Sequence, residues 1–237
     1  MAFGQERYEV RCEWGPHGLR ELGAASDVVV IIDVLSFTTA VEIATGRGGE
    51  VFPYPFKDES AAEYTASLNA KLASADRARG FSLSPESLQN LPPGYRLVLP
   101  SPNGAALCYG VEHPILFAAC LRNASAVAAA AAVAGSTVAV IPAGERWHGG
   151  DLRPCLEDWV GAGAVIAALP GRRSPEADLA TAAFNHFRER LPQALRNCGS
   201  GRELIERGFG RDVDIAAEVN VSANVPRFVN RAFVACR

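Results

Sequence analysis

Basic clusters, closely spaced cysteines and long apolar runs are all missing from this sequence, and each absence removes a class of function. The Lys and Arg residues are scattered, or at most paired as at Arg172-Arg173, and the net charge is −3 with a sequence pI of about 5.9. A chain without a basic field is expected to bind neither nucleic acid nor an anionic membrane. No stretch reaches the roughly 20 apolar residues of a spanning helix; the alanine-rich segment Ala124–Ala134 stops well short. The opening MAFGQERYEV has no apolar signal region, so export is not expected and a cytoplasmic location is. The six cysteines contain no CxxC pair. A disulfide scaffold or a structural zinc site needs closer spacing, so small buried thiols in a reducing compartment are expected.

Several catalytic signatures are absent too. No cysteine has an Arg six positions downstream, which excludes the C-x5-R phosphatase loop. There is no G-x-S-x-G elbow and no P-loop. Asp33 is followed by Val34 and Leu35, so the D-x-D of aspartate-nucleophile phosphatases is missing. Gly161-Ala162-Gly163 lacks a third glycine and falls inside a helical segment, unlike a dinucleotide fingerprint.

What is present is an alternation of apolar runs and helical segments. Apolar residues make up 49 % of the 237 residues, enough for a full core in one large domain, or one with two lobes. Val28–Leu35 reads as a central strand buried on both faces, with Ser36 capping a helix over Phe37–Gly46. Glu50–Pro55 reads as a strand near an edge because of its two prolines, and Asp58–Ser74 as helical. Arg96–Pro100, Ile115–Ala119 and Thr137–Ala143 are further strands. Asn123 is placed to cap the alanine-rich helix that ends at Gly135, and another helix spans about Arg153 to Leu169. Ser174-Pro175-Glu176 opens the next, Ser200–Glu203 has capping-box spacing, and the tail beyond Val219 is extended. This order predicts an α/β protein, three-layer α/β/α with a mainly parallel sheet, whose ligand site lies at the carboxyl ends of the strands.

The candidate chemistry there is carboxylate chemistry. Asp33 interrupts an apolar run, where a charge is costly unless it is compensated. Glu145 follows the strand Thr137–Ala143, and Glu157 and Asp158 lie near a helix start. Such acids suit Mg²⁺, although Glu157 and Asp158 can equally serve only the helix dipole. Asn103-Gly104, Asn123 and Ser125 follow strands and can offer an anion seat, while Arg146 and Arg153 can clamp a phosphate or sulfonate. His148 is the one histidine of four (with His17, His113 and His186) in a candidate site loop, and a solvent-facing role suits it best.

At these residues the chain resembles the 2-phosphosulfolactate phosphatase family. The resemblance rests on Val29–Thr39 (VVIIDVLSFTT), Ser101–Leu107 (SPNGAAL), Leu121–Val127 (LRNASAV), Ala143-Gly144 with Leu156-Glu157-Asp158 and Gly161–Ala164, and Gly201–Gly208 with Asp212. It implies a Mg²⁺-dependent phosphoric monoester hydrolase, acting on a small anionic phosphorylated substrate and releasing the free hydroxy acid, as on the route to coenzyme M. Asp33, Glu157 and Asp158 fall on the family's acidic, metal-binding positions, with Asp33, Glu145 and Arg146 as catalytic candidates. Ser36, Asn103, Gly104, Asn123, Ser125 and Arg153 are the substrate-binding candidates, and a homodimer is left open. Three departures stand out. Ser36-Phe37 replaces the family's Arg-Ala, Pro102-Asn103-Gly104-Ala105 replaces T-N-G-T, and Ser74–Arg79 replaces a Gly-rich segment, although Gly80-Phe81 and Ser84-Pro85 remain. Loss of an arginine at position 36 favours a competing reading, an inactive relative that binds small anions; the retained acids oppose it.

Overall fold

The computed structural model of the chain describes residues 2–56, 58–109 and 115–236, so His113 lies outside it. Nine strands form one sheet within these residues: β1 (Val10–Cys12), β2 (Val28–Ile32), β3 (Glu50–Tyr54), β4 (Lys71–Leu72), β5 (Arg96–Pro100), β6 (Leu116–Ala119), β7 (Val138–Pro142) and, beyond a small two-stranded ribbon of β8 (Glu145–Arg146) and β9 (Leu152–Arg153), β10 (Pro226–Val229) and β11 (Ala232–Ala235). Their order is β1-β7-β2-β6-β10-β11-β3-β5-β4. The pairs on either flank are parallel, and only the C-terminal hairpin β10-β11 runs antiparallel to its neighbours.

β2 shows why the layers form. Its five β-branched residues are all buried and alternate between two clusters, with Val28, Val30 and Ile32 on one face and Val29 and Ile31 on the other. A strand apolar on both faces needs cover on both. Helices Ala124–Ala134, Leu156–Ala168 and Pro175–Phe187 cover the first face. Gly163 allows the last two to touch, since a Cβ there would lie 2.0 Å from the Ala180 carbonyl oxygen. The second face receives helix Phe37–Gly46, whose residues Phe37 to Thr45 are all buried.

That helix is central because the sheet curls around it. β2 and β5 are five strand spacings apart, which is about 24 Å in a flat sheet. Yet the Gly104 N–H, just after β5, donates to the Asp33 carboxylate, just after β2, at 2.8 Å. Curling thus brings together loops from both parallel flanks.

Several expectations are corrected. β3 lies between β11 and β5, not near an edge; its prolines are tolerated because pairing with β11 is registered at Phe233↔Val51, short of Pro53. Asp58–Ser74 is helical only over Ser60–Ser67, because Asn69 turns left-handed (φ 49°) and β4 follows at the edge. The extended tail is a hairpin whose turn residues Asn230 and Arg231 both have positive φ, the conformation that matches strand twist. Arg153 belongs to β9, and its helix begins at Leu156. Ser36 and Asn123 stand at helix starts without side-chain caps, and Cys198, not Ser200, caps helix Gly199–Glu206. Ser174 caps as expected, accepting from the Ala177 N–H at 3.1 Å.

Candidate active site

Asp33 sits at the carboxyl end of β2, 4 % exposed. One carboxylate oxygen accepts from the Phe37 N–H at 3.2 Å and the other from the Gly104 N–H at 2.8 Å. Its backbone is fixed as well, since the Thr38 hydroxyl donates to the Asp33 carbonyl at 2.8 Å. Gly104 is obligatory at this approach: a Cβ would fall 2.6 Å from the Phe37 ring and 2.7 Å from an Asp33 carboxylate oxygen. Burial is the main force lifting the Asp33 carboxyl to about 6; the two backbone donors pull it down, and the charges of Glu145 and Glu157 push it further up.

Asp158 is a strut. Its two oxygens accept from the Val34 and Gly144 N–H groups, both at 2.8 Å, and so tie the ends of β2 and β7 to helix Leu156–Ala168. Burial, then the charges of Asp33 and Glu157, hold its carboxyl well above the ordinary range. Glu157 is also buried and accepts from the Cys198 thiol at 3.3 Å. Among the described residues no three His, Cys, Asp or Glu side chains are grouped to hold a metal ion, so Asp33, Glu157 and Asp158 do not assemble as one ligand set.

A cleft of about 110 Å³ opens at Asp33 and is also lined by Ser36, Asn103 and Glu145. Asn103 donates to the Glu145 carboxylate at 2.8 Å, which locks the loops after β5 and β7 together. The remaining candidates scatter. Arg146 is exposed, donates to the Gly150 carbonyl at 3.0 Å and borders a neighbouring hollow of about 170 Å³ that shares Asn103 and Glu145 with the cleft. Arg153 donates to the Ser200 hydroxyl at 3.0 Å and stacks over Trp147; only Ser200 of that pair lines the cleft. Asn123 is buried and spent on the Cys120 N–H and the Asn224 carbonyl. Ser125 is exposed, its N–H held by Asn220. The structure brings neither Asn123 nor Ser125 to the cleft.

A sequence profile described as 2-phosphosulpholactate phosphatase matches residues 16–231. The chain belongs to the 2-phosphosulfolactate phosphatase family. A protein of Carboxydothermus hydrogenoformans named probable 2-phosphosulfolactate phosphatase is 32 % identical over 213 residues, covering 86 % of this chain and 87 % of its own. The 2-phosphosulfolactate phosphatase of Methanothermobacter thermautotrophicus is 31 % identical over 207 residues, covering 85 % and 86 %. A probable 2-phosphosulfolactate phosphatase of Deinococcus radiodurans is 28 % identical over 219 residues.

Within this family member, sequence reasoning missed Arg77 and Asp212 as parts of the site. The Arg77 guanidinium donates to the Ser36 hydroxyl at 3.1 Å and to the Asp212 carboxylate at 3.0 Å, and it lines the cleft. A cation is therefore beside position 36 after all, delivered from the departing segment Ser74–Arg79. The retained Ser84-Pro85 was the available signal, since the Ser84 hydroxyl donates to Asp212 at 2.6 Å and orients Arg77's partner.

Proposed function

We propose that this chain is a Mg²⁺-dependent phosphomonoesterase that hydrolyses 2-phosphosulfolactate, or a close phosphorylated hydroxy acid, to the free hydroxy acid and phosphate. The observation that carries the reading is Asp33. A buried carboxyl with raised proton affinity, crowded by other acids and open to a cleft, is a site short of positive charge. Mg²⁺ commonly takes one or two carboxylates and completes its shell with water and substrate phosphate. Asp33 and Glu145 would hold it, which fits the cleft better than a three-carboxylate cage. Bound there, the ion would polarise the phosphoryl oxygens and favour an ionised water.

The chain's own groups do the positioning. The Phe37 and Gly104 N–H groups fix the plane of the Asp33 carboxylate, and each oxygen keeps a lone pair for a cation or the attacking water. Asn103 holds Glu145 in orientation. Asp158 sets the distance between the loops after β2 and β7, acting as a positioning residue.

A screen of phosphorylated hydroxy acids with and without Mg²⁺ tests the reading. Phosphate release that requires both Mg²⁺ and an acid-bearing substrate is expected. Binding of these acids without release would replace the enzyme by an anion-binding protein.

A further inference from the structure

We propose that Arg77 is the specificity-determining residue of this cleft, and that it binds the second, non-transferred acid group of the substrate, a sulfonate or carboxylate. The proposal rests on the phosphatase reading for which group is transferred, and on geometry for the rest.

Arg77 is built into its place. Its side chain is 12 % exposed and is anchored at two points, Asp212 (1 % exposed) at 3.0 Å and Ser36 at 3.1 Å. Asp212 is itself held by the Ser84 hydroxyl at 2.6 Å and the Glu86 N–H at 3.0 Å on its other oxygen. The ring of Phe209 lies 5.8 Å from the guanidinium carbon. These contacts fix the plane of the guanidinium and leave other N–H donors free for a ligand, the pre-organised fork that suits planar acid groups. Burying a cation is costly unless paired, and Asp212 is its one ion-pair partner among the described residues. A brace serving the fold alone has no need to line a cleft.

The cleft lining carries both signs of charge. Asp33 and Glu145 call for a cation before a phosphoryl group can approach. Arg77 lies next to Ser36 in the same lining, near enough for the charge of Asp33 to act on it, and Arg207, exposed and tied to Glu203 at 3.2 Å, lines the cleft too. A ligand with two acid groups on adjacent carbons can use both the cation at the carboxylates and Arg77; a simple phosphate ester needs only the first.

The test separates the two acid groups by comparing ligands. Calorimetric binding of sulfolactate and of inorganic phosphate, in the presence of Mg²⁺, needs no turnover. Arg77→Ala is expected to weaken sulfolactate about tenfold or more and phosphate by less than about twofold, with Arg77→Lys recovering sulfolactate only in part because it lacks the fork. In turnover, the KM for 2-phosphosulfolactate should rise while that for p-nitrophenyl phosphate holds. Arg77→Lys keeps a charge opposite Asp212, so it reports even where Arg77→Ala fails to fold. Equal weakening of both ligands would place Arg77 at the phosphoryl group and overturn the proposal, as would no effect on either. Arg77-dependent sulfolactate binding without hydrolysis of any ester would overturn the phosphatase reading and leave this one standing.

Discussion

Gly104 and Asp33 are the two residues whose separate demands meet in one hydrogen bond. Replacing Gly104 by alanine drives a methyl against the Phe37 ring and the Asp33 carboxylate. Overpacking of that kind costs about 1–3 kcal/mol, so urea unfolding of Gly104→Ala should show at least that loss; wild-type stability would mean the approach is slack. Asp33 also marks stability against pH in the metal-free protein. Its folded carboxyl titrates at about 6 against the ordinary 3.8, so the folded state holds a proton that the unfolded chain has released. That contribution is complete below about 4 and lost as pH rises through about 6. Asp33→Asn cannot ionise, and its melting temperature should fall less over that window; equal slopes would clear Asp33 of the effect. Asp33 was legible in the sequence because a charge inside VVVIIDVL has no cheap structural explanation. Arg77 was not, because it lies in an irregular segment with no period, and its partner Asp212 is 135 positions away.

Among the elements, the C-terminal hairpin has the largest consequence. β10 and β11 fill the gap between β6 and β3 and so join two parallel flanks that otherwise share no strand pairing. Phe233 of β11 is fully buried and meets Phe37 edge-on at 6.3 Å, at the start of the central helix. Phe233→Ala should cost about 3–5 kcal/mol in urea unfolding. A loss below about 1 kcal/mol would mean that the hairpin decorates the sheet and does not join it. Strands β2, β3, β5, β6 and β7 and helix Phe37–Gly46 were readable from apolar runs and turn residues, whereas the short outer strands β1 and β4, three and two residues long, carry no such run. The hairpin's place was not, because β-pairing between a tail and strands far up the chain leaves no local mark. Hydrophobic alternation reports which faces are buried, not which strand lies next.

At the scale of the whole molecule, the curled sheet makes the site. Only closure around helix Phe37–Gly46 sets the loop after β5 against the loop after β2, and the cleft there is lined by Asp33, Glu145 and Arg77. With a net charge of −3 the molecule has no field to draw in an anion, so in the proposed function attraction falls to the proposed cation and to Arg77. No helix among the described residues is long and apolar enough to cross a membrane. Asp33 is proposed to anchor Mg²⁺-dependent phosphate-ester hydrolysis in this cleft. The most direct measurement is phosphate release from 2-phosphosulfolactate by wild type and Asp33→Asn, each with Mg²⁺ and with chelator. Wild type with Mg²⁺ should turn over while the other three fall by about a hundredfold or more, as losing a charged group that acts on the transition state commonly does. Undiminished release by Asp33→Asn, with its Mg²⁺ dependence intact, would contradict the account.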